Sequence, residues 1–524
     1  MYDAVIIGAG HNGLVCGAYL AKAGHKVLVV ERRDVIGGCC VTESPWPGYK
    51  VSSASYLMSL FQPKIMRDLD LKKHGLEVLE AAPTTVLLDH GRTFTFWGDP
   101  DRLHREIAAL SPRDADAYRD YRAHLARLTP FIRDIIWQTP PDISAKSLRK
   151  LLQSAQFGLK YFKYRHLFND IYDIMTLSAY DFLSRWFSND TVIALFGYYV
   201  TGGGTHVTMK TPATAFACIR TLVRDHTTEA GPGGFVRGGM GVISESIARS
   251  GAVHGLEVRR NAPVKRVVIE NGRATGVQLH DGEVIKARAV IANASAKTTF
   301  LKLVPEAELP HSFVASIRGI RTRSGLFKVH LGVSKLPNYA GFSPSPDLPY
   351  PSSIRIGSSV DYMEKAFDDA KYGVMSDEPF LSIMAPSVHD NTLAPEGQHV
   401  LSILGGHVAY REDGAGLAQI RARVLDRVLD MMERYAPGFR ENVLHSEVLT
   451  PNDLEDRFEL PGGHVHHGDL TLDQAFMNRP VSGFADYRSP IPGLFLASSS
   501  THPGGGVTGV PGHNAAREIA RELR

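Results

Sequence analysis

The feature that most constrains this chain lies in its first 31 residues. Asp3-Ala-Val-Ile-Ile7 is an apolar run of the kind buried on both faces of a parallel sheet. Gly8-Ala-Gly10-His-Asn-Gly13 follows, residues 12–24 carry helix-compatible spacing that stops at Gly24, and Lys26–Glu31 forms a second buried strand. Strand, glycine turn, helix and parallel strand make a βαβ unit of minimum length. In that setting Gly8 permits the tight turn, Gly10 lets backbone approach a diphosphate, and Gly13 lets helix and strand pack closely. The helix N-terminus offers unpaired N–H groups to phosphate, and Glu31 ends the second strand where an acid accepts hydrogen bonds from a ribose. The segment predicts a bound dinucleotide rather than a plain glycine turn.

FAD and NAD share this pattern, so the remainder of the chain decides between them. Arg32-Arg33-Asp34-Val35-Ile36-Gly37-Gly38 adds a double glycine where backbone can pass close to a cofactor. Arg237-Gly238-Gly239-Met240-Gly241 precedes a helix and offers a second such turn. Val264 opens a hairpin, Lys265–Glu270 and Ala274–Leu279 around Asn271-Gly272, where backbone groups can hold an adenine. Near the other end, Thr501-His502-Pro503-Gly504-Gly505-Gly506-Val507 leads into a last helix from about Gly512, whose positive end suits a reduced flavin ring. No second strand–GxGxxG–helix unit serves a nicotinamide nucleotide, since Gly202–Gly204 lacks the preceding strand. These features select FAD, held by Gly8, Gly10, Gly13, Glu31, Arg32, Gly37, Gly38, Gly239, Met240, Val264, Gly505, Gly506 and Val507.

The nucleotide-like segments fall in three separated blocks. That predicts a discontinuous FAD domain over 1–95, 230–300 and 455–524, with a substrate domain over 96–229, largely helical, and 301–454. A net charge of +3 gives no reason to expect nucleic acid. No apolar run is long enough to cross a bilayer. Four cysteines are too few for a disulfide framework and fit a reducing compartment; with a strand pattern from Tyr2, they lead to the expectation of a cytoplasmic protein.

Six segments, Gly8–Gly13, Glu31–Gly38, Thr42–Ser53, Gly238–Gly241, His399–Gly406 and Ser498–Asn514, together span nearly the whole chain. In them the sequence resembles the flavoprotein family of bacterial phytoene desaturases and their amine-oxidase-like relatives, and within it the branch of pyridine nucleotide-disulfide oxidoreductase domain-containing protein 2. The resemblance implies an α/β fold: a glutathione-reductase-like Rossmann FAD domain with an inserted α+β substrate domain that contains a mixed sheet and a helical cap. It also implies activities such as desaturation or isomerisation of long polyenes and oxidation of amines. One departure bears on disulfide chemistry. Cys39 and Cys40 are adjacent, position 45 is proline, and the next cysteine is Cys218, so no dithiol relay is expected.

Lys328 stands in the apolar segment Gly325–Leu331. The resemblance implies a lysine near flavin N5 through water, and desolvation there would turn the amine into a base. The alternative is an edge-strand lysine reaching solvent. His502 and His466 are further candidates, the first inside the terminal loop, the second in Gly463-His464-Val-His466-His467-Gly468. That histidine cluster lacks the cysteine or carboxylate pattern of a zinc site, so no metal is expected. His206 follows a glycine run and is a candidate cavity residue. Lys146, Arg149, Lys150, Lys160, Lys163 and Arg165 alternate with Leu and Phe between 146 and 165, without an acid. That segment reads either as a helix resting on an anionic membrane surface or as a solvated or oligomer-contact face. The reading is an FAD-dependent oxidoreductase that dehydrogenates a largely apolar or mixed-polarity small molecule by hydride transfer to flavin N5, with reoxidation by oxygen, a quinone or another acceptor. The alternatives are a redox-neutral double-bond isomerase, an amine oxidase and a non-catalytic flavin-binding protein.

Overall fold

The structure is a computed structural model and describes residues 1–142, 147–201, 207–223 and 233–524. Lys146, Gly202–Gly204 and His206 lie outside the described residues. Among the described residues two seven-stranded sheets organise the chain. In the first, Tyr2–Ile7 sits between Val27–Val30 and Val284–Ala292, parallel to both. Glu257–Arg259 extends one side, and Leu494–Leu496 pairs parallel with the end of Val284–Ala292. The expected hairpin is present as Val264–Glu270 and Arg273–Leu279, and attaches antiparallel to the start of Val284–Ala292.

Both faces of this sheet are covered, which is why its strands read as unbroken apolar runs. The helix His11–Lys22 packs between Gly241–Val253 and the terminal helix Val510–Leu523. The approach is close enough that only glycine fits: a Cβ on Gly512 would lie 2.1 Å from the Asn12 carbonyl oxygen. Gly13 is equally hemmed in, its missing Cβ falling 2.4 Å from the Gly8 carbonyl oxygen. Gly13→Ala should therefore destabilise the fold by about 1–3 kcal/mol and weaken FAD retention together. A thermal melt and a flavin spectrum on the same sample check this, and unchanged values for both would refute it.

The second sheet has the order 443–449, 326–333, 399–406, 380–384, 353–356, 84–87 and 93–96. All neighbouring strands in it are antiparallel except Ser353–Ile356 and Thr84–Leu87, which run parallel. Thr84–Phe96 therefore belongs to the second sheet, although the sequence placed everything up to residue 95 in the nucleotide domain. The cause is a pairing across roughly 270 residues of sequence, which no local pattern reports. Helices between Pro100 and Thr201 pack on this sheet through Tyr118, Tyr121, Phe182, Phe187 and Tyr198. Asp99 and Ser111 cap the first two of them, accepting from Arg102 N and Asp114 N. The second helix, Pro112–Ile135, ends against the terminal helix, where Asn514 Nδ2 donates to the Ile136 carbonyl at 2.9 Å.

Candidate active site

A cavity of about 760 Å³ runs from the glycine turn of the first sheet to one face of the second. At the first end it is lined by Gly8, Gly10, His11, Asn12, Glu31 and Arg33. The helix that starts at His11 has Gly10 as its cap, no capping side chain and no acid in its first turn, so its N–H groups and positive end are open to an anion. Glu31 accepts from Ala9 N at 2.8 Å and Arg33 N at 3.0 Å, which orients the carboxylate and leaves lone pairs for ribose hydroxyls. Among the described residues, Asn12 Oδ1 and Arg33 Nη1 are buried without a partner. An open helix end, an oriented carboxylate and two unpaired polar atoms fit the diphosphate and ribose of a dinucleotide.

Arg32, Gly37, Gly38 and Val264 line the same cavity, as do Gly506, Val507 and His466. Gly13 supports the turn from behind. Gly505 is not on the wall itself but packs against His466, where a Cβ would lie 2.4 Å from Nδ1. Gly239 and Met240 do not reach the cavity. Their turn is clamped by Thr42 and Ser52, which accept from Gly241 N and Met240 N, and the Met240 side chain fills the core under the first sheet. That double glycine serves backbone packing. His502 also stays off the cavity: its Nε2–H donates to the Ile135 carbonyl at 2.9 Å, and its ring meets Phe476 edge-on. Burial holds its pKa down to about 4, so it is a neutral staple between the terminal loop and the helical region.

Several residues on this wall or behind it carried no signal in the sequence. Asn293 stands at the C-terminal end of a parallel strand, where ligands of such sheets bind, and its Nδ2 donates to the Gly8 carbonyl at 3.1 Å. Arg220 donates from Nη2 to the Gly505 carbonyl at 2.6 Å, tying the terminal loop to the helical region. Arg479, 3% exposed, directs its guanidinium at the carbonyls of His466, Gly468, Asp469, Gln474 and Ser499 and so fixes the histidine segment against that loop. Burial and the nearby Arg220 push its pKa down to about 10. His464 is committed to Asp469, 3.3 Å away. Among the described residues no group of three His, Cys, Asp or Glu side chains can hold a metal ion. Burial raises the Cys39 and Cys40 thiols to about 12, although Cys39 is partly exposed and lines the cavity.

The far end is built on the second sheet. Lys328 lies in a central strand, not an edge, because Leu326–Val333 is flanked by His399–Gly406 and Val443–Leu449. It is 1% exposed to solvent, its Nζ donates to Ser402 Oγ at 2.7 Å, and it sits 4.1 Å from the centre of the Tyr56 ring. Burial with no carboxylate beside it, among the described residues, drives its pKa well below the ordinary 10.5. Pairing registers place Lys328, Leu404, Ser382 and Arg355 side by side on one face, and all four line the cavity.

A parallel sheet with a dinucleotide turn, joined through one cavity to a mixed sheet carrying a buried amine, fits a flavin-dependent oxidoreductase. Residues 13–520 match the family of flavin containing amine oxidoreductases, and the chain belongs to that family. It is an FAD-dependent oxidoreductase. It is 36% identical to the rat (Rattus norvegicus) pyridine nucleotide-disulfide oxidoreductase domain-containing protein 2, over 100% of this chain and 94% of that one. It is 25% identical to the lycopene-forming phytoene desaturase of Pseudescherichia vulneris, covering 97% of each chain. Among solved structures, cyclohexylamine oxidase from Brevibacterium oxydans superposes with a TM-score of 0.58 at 17% identity, covering 100% of this chain and 99% of that one. At that identity the likeness speaks for the fold alone.

Proposed function

We propose that the protein dehydrogenates a small molecule with a substantial apolar portion, introducing a double bond. The observation that carries this reading is Lys328, an amine buried at the second-sheet end of the cavity, where desolvation favours its uncharged form. When bound, FAD supplies an acceptor that takes a hydride from carbon. The chain supplies the rest. Leu326, Leu404 and Met384 give the substrate end apolar walls that exclude water. Ser402 and the Tyr56 ring hold Nζ in place, and Nζ takes the proton that leaves the neighbouring carbon. The substrate thereby loses one hydride and one proton, and the electrons pass on to oxygen, a quinone or another acceptor. The test is anaerobic mixing of the holoenzyme with panels of unsaturated hydrocarbons, alkyl carboxylates and amines. Bleaching of the flavin by a panel member that emerges desaturated supports the proposal. Conversion that requires prereduced flavin and leaves it reduced points instead to an isomerase.

We further propose that the helix Leu148–Tyr161 and the turn after it rest on an anionic bilayer. Leu148, Leu152, Leu159 and Phe162 are 73, 56, 78 and 63% exposed and fall on one helical face. Asp142 and Asp134 pair with Lys150, Lys160 and Lys163, so the cationic excess is smaller than the local sequence suggests and apolar insertion is the main attraction. Changing these four residues to serine should lower binding to phosphatidylglycerol vesicles at least tenfold, since each buried Leu or Phe contributes about 1.5–3 kcal/mol. Co-sedimentation that is equal for both proteins, or absent in the wild type, refutes membrane contact.

A further inference from the structure

The substrate end of the cavity also holds a buried guanidinium that the proposed proton transfer does not use. Arg355, in the strand Ser353–Ile356, is 6% exposed and lines the cavity. Its guanidinium lies 4.4 Å from the centre of the Tyr198 ring, 4.7 Å from Tyr199 and 5.5 Å from Phe96. Nη2 donates to the Tyr199 hydroxyl at 2.9 Å, and among the described residues Nε is buried without a partner and no carboxylate forms an ion pair with this side chain. Burying an unpaired guanidinium costs several kcal/mol, of which cation–π contacts return only part. An arginine kept so in a ligand cavity is matched to an anion on the ligand. Arg355 and Lys328 lie on the same cross-strand row, separated by Ser382 and Leu404. Three strand spacings of about 4.8 Å put their Cα atoms roughly 14 Å apart.

We propose that Arg355 is a substrate-binding residue that pairs with a carboxylate, and that the substrate is an amphiphile whose apolar chain runs over Ser382 and Leu404 towards Lys328. The inference rests on the dehydrogenase reading above and adds the substrate's charge and polarity pattern to it. It also disfavours alkylammonium substrates, because the aromatic walls that would receive an ammonium group already hold the protein's own guanidinium.

The test titrates holoenzyme with decanoate, decanol and decylammonium below their micelle concentrations, with binding read from calorimetry and the flavin difference spectrum. The wild type should bind decanoate at least tenfold tighter than decanol or decylammonium, which is about 1.4 kcal/mol. Arg355→Met should abolish that preference and Arg355→Lys should retain part of it, both with wild-type FAD content. Decanoate binding no tighter than decanol in the wild type overturns the proposal, as does a preference that survives in Arg355→Met. Should Arg355→Met fail to fold, the comparison of wild type with Arg355→Lys decides, since loss of the bidentate fork must weaken decanoate and leave decanol unchanged. Binding requires no turnover, so a flavin that no compound bleaches counts against dehydrogenation while leaving the carboxylate preference standing.

Discussion

Replacing Lys328 with methionine is expected to slow reduction of the bound flavin by substrate by about 10²- to 10⁴-fold, the range that a positioned base contributes. Methionine keeps the length and removes the amine, so FAD content should stay at the wild-type level. The pH profile separates this role from a packing role. Desolvation lowers the Lys328 pKa in the folded protein, so the free amine, and with it the wild-type rate, increases as pH rises through that lowered value. Lys328→Met should lose this limb of the profile. Stability should respond with the same sign. Between the lowered value and the ordinary 10.5 the unfolded chain binds a proton that the folded chain does not, so stability rises with pH across that window. A methionine variant within tenfold of the wild-type rate and with an unaltered pH profile would remove Lys328 from the chemistry.

Arg479→Met is expected to give the largest loss of stability among single substitutions at the site, about 3–5 kcal/mol. The guanidinium uses its donors on five carbonyls, and each carbonyl left buried without a partner costs on the order of 1–3 kcal/mol. Relief of the guanidinium's own desolvation offsets part of that sum, which is why the estimate stays below the full total. The carbonyls belong to the His466–Gln474 stretch and to Ser499, so the variant should also release FAD more readily by loosening the wall that carries His466. Chemical denaturation with flavin fluorescence measures both effects. A midpoint close to that of the wild type would show that water replaces these bonds at little cost.

The parts of the site that were legible in the sequence are those whose meaning is local. Gly8, Gly10, Gly13 and Glu31 belong to one βαβ unit, and the chemistry of that unit follows from the order of its pieces. Lys328 stood out because a lone amine in an apolar run is costly unless something uses it. Arg355 carries a similar local signal, a charge inside Ser-Ile-Arg-Ile, yet its meaning depends on register across four strands drawn from distant parts of the chain. The pairing of Thr84–Leu87 with Ser353–Ile356 is hidden from the local sequence for the same reason. Gly239 and Met240 show the opposite failure. A double glycine before a helix marks a tight backbone approach, and here the approaching group is Thr42 rather than a cofactor. His502 sits in the predicted loop, but the loop turns its ring toward Ile135.

The most direct test of the account is the flavin content of the purified chain before and after titration with FAD. One equivalent of FAD per chain is predicted, kept in Lys328→Met and diminished in Gly13→Ala, because the first variant alters only the far end of the cavity and the second disturbs the turn that holds the diphosphate. A colourless chain that takes up no added FAD would contradict it.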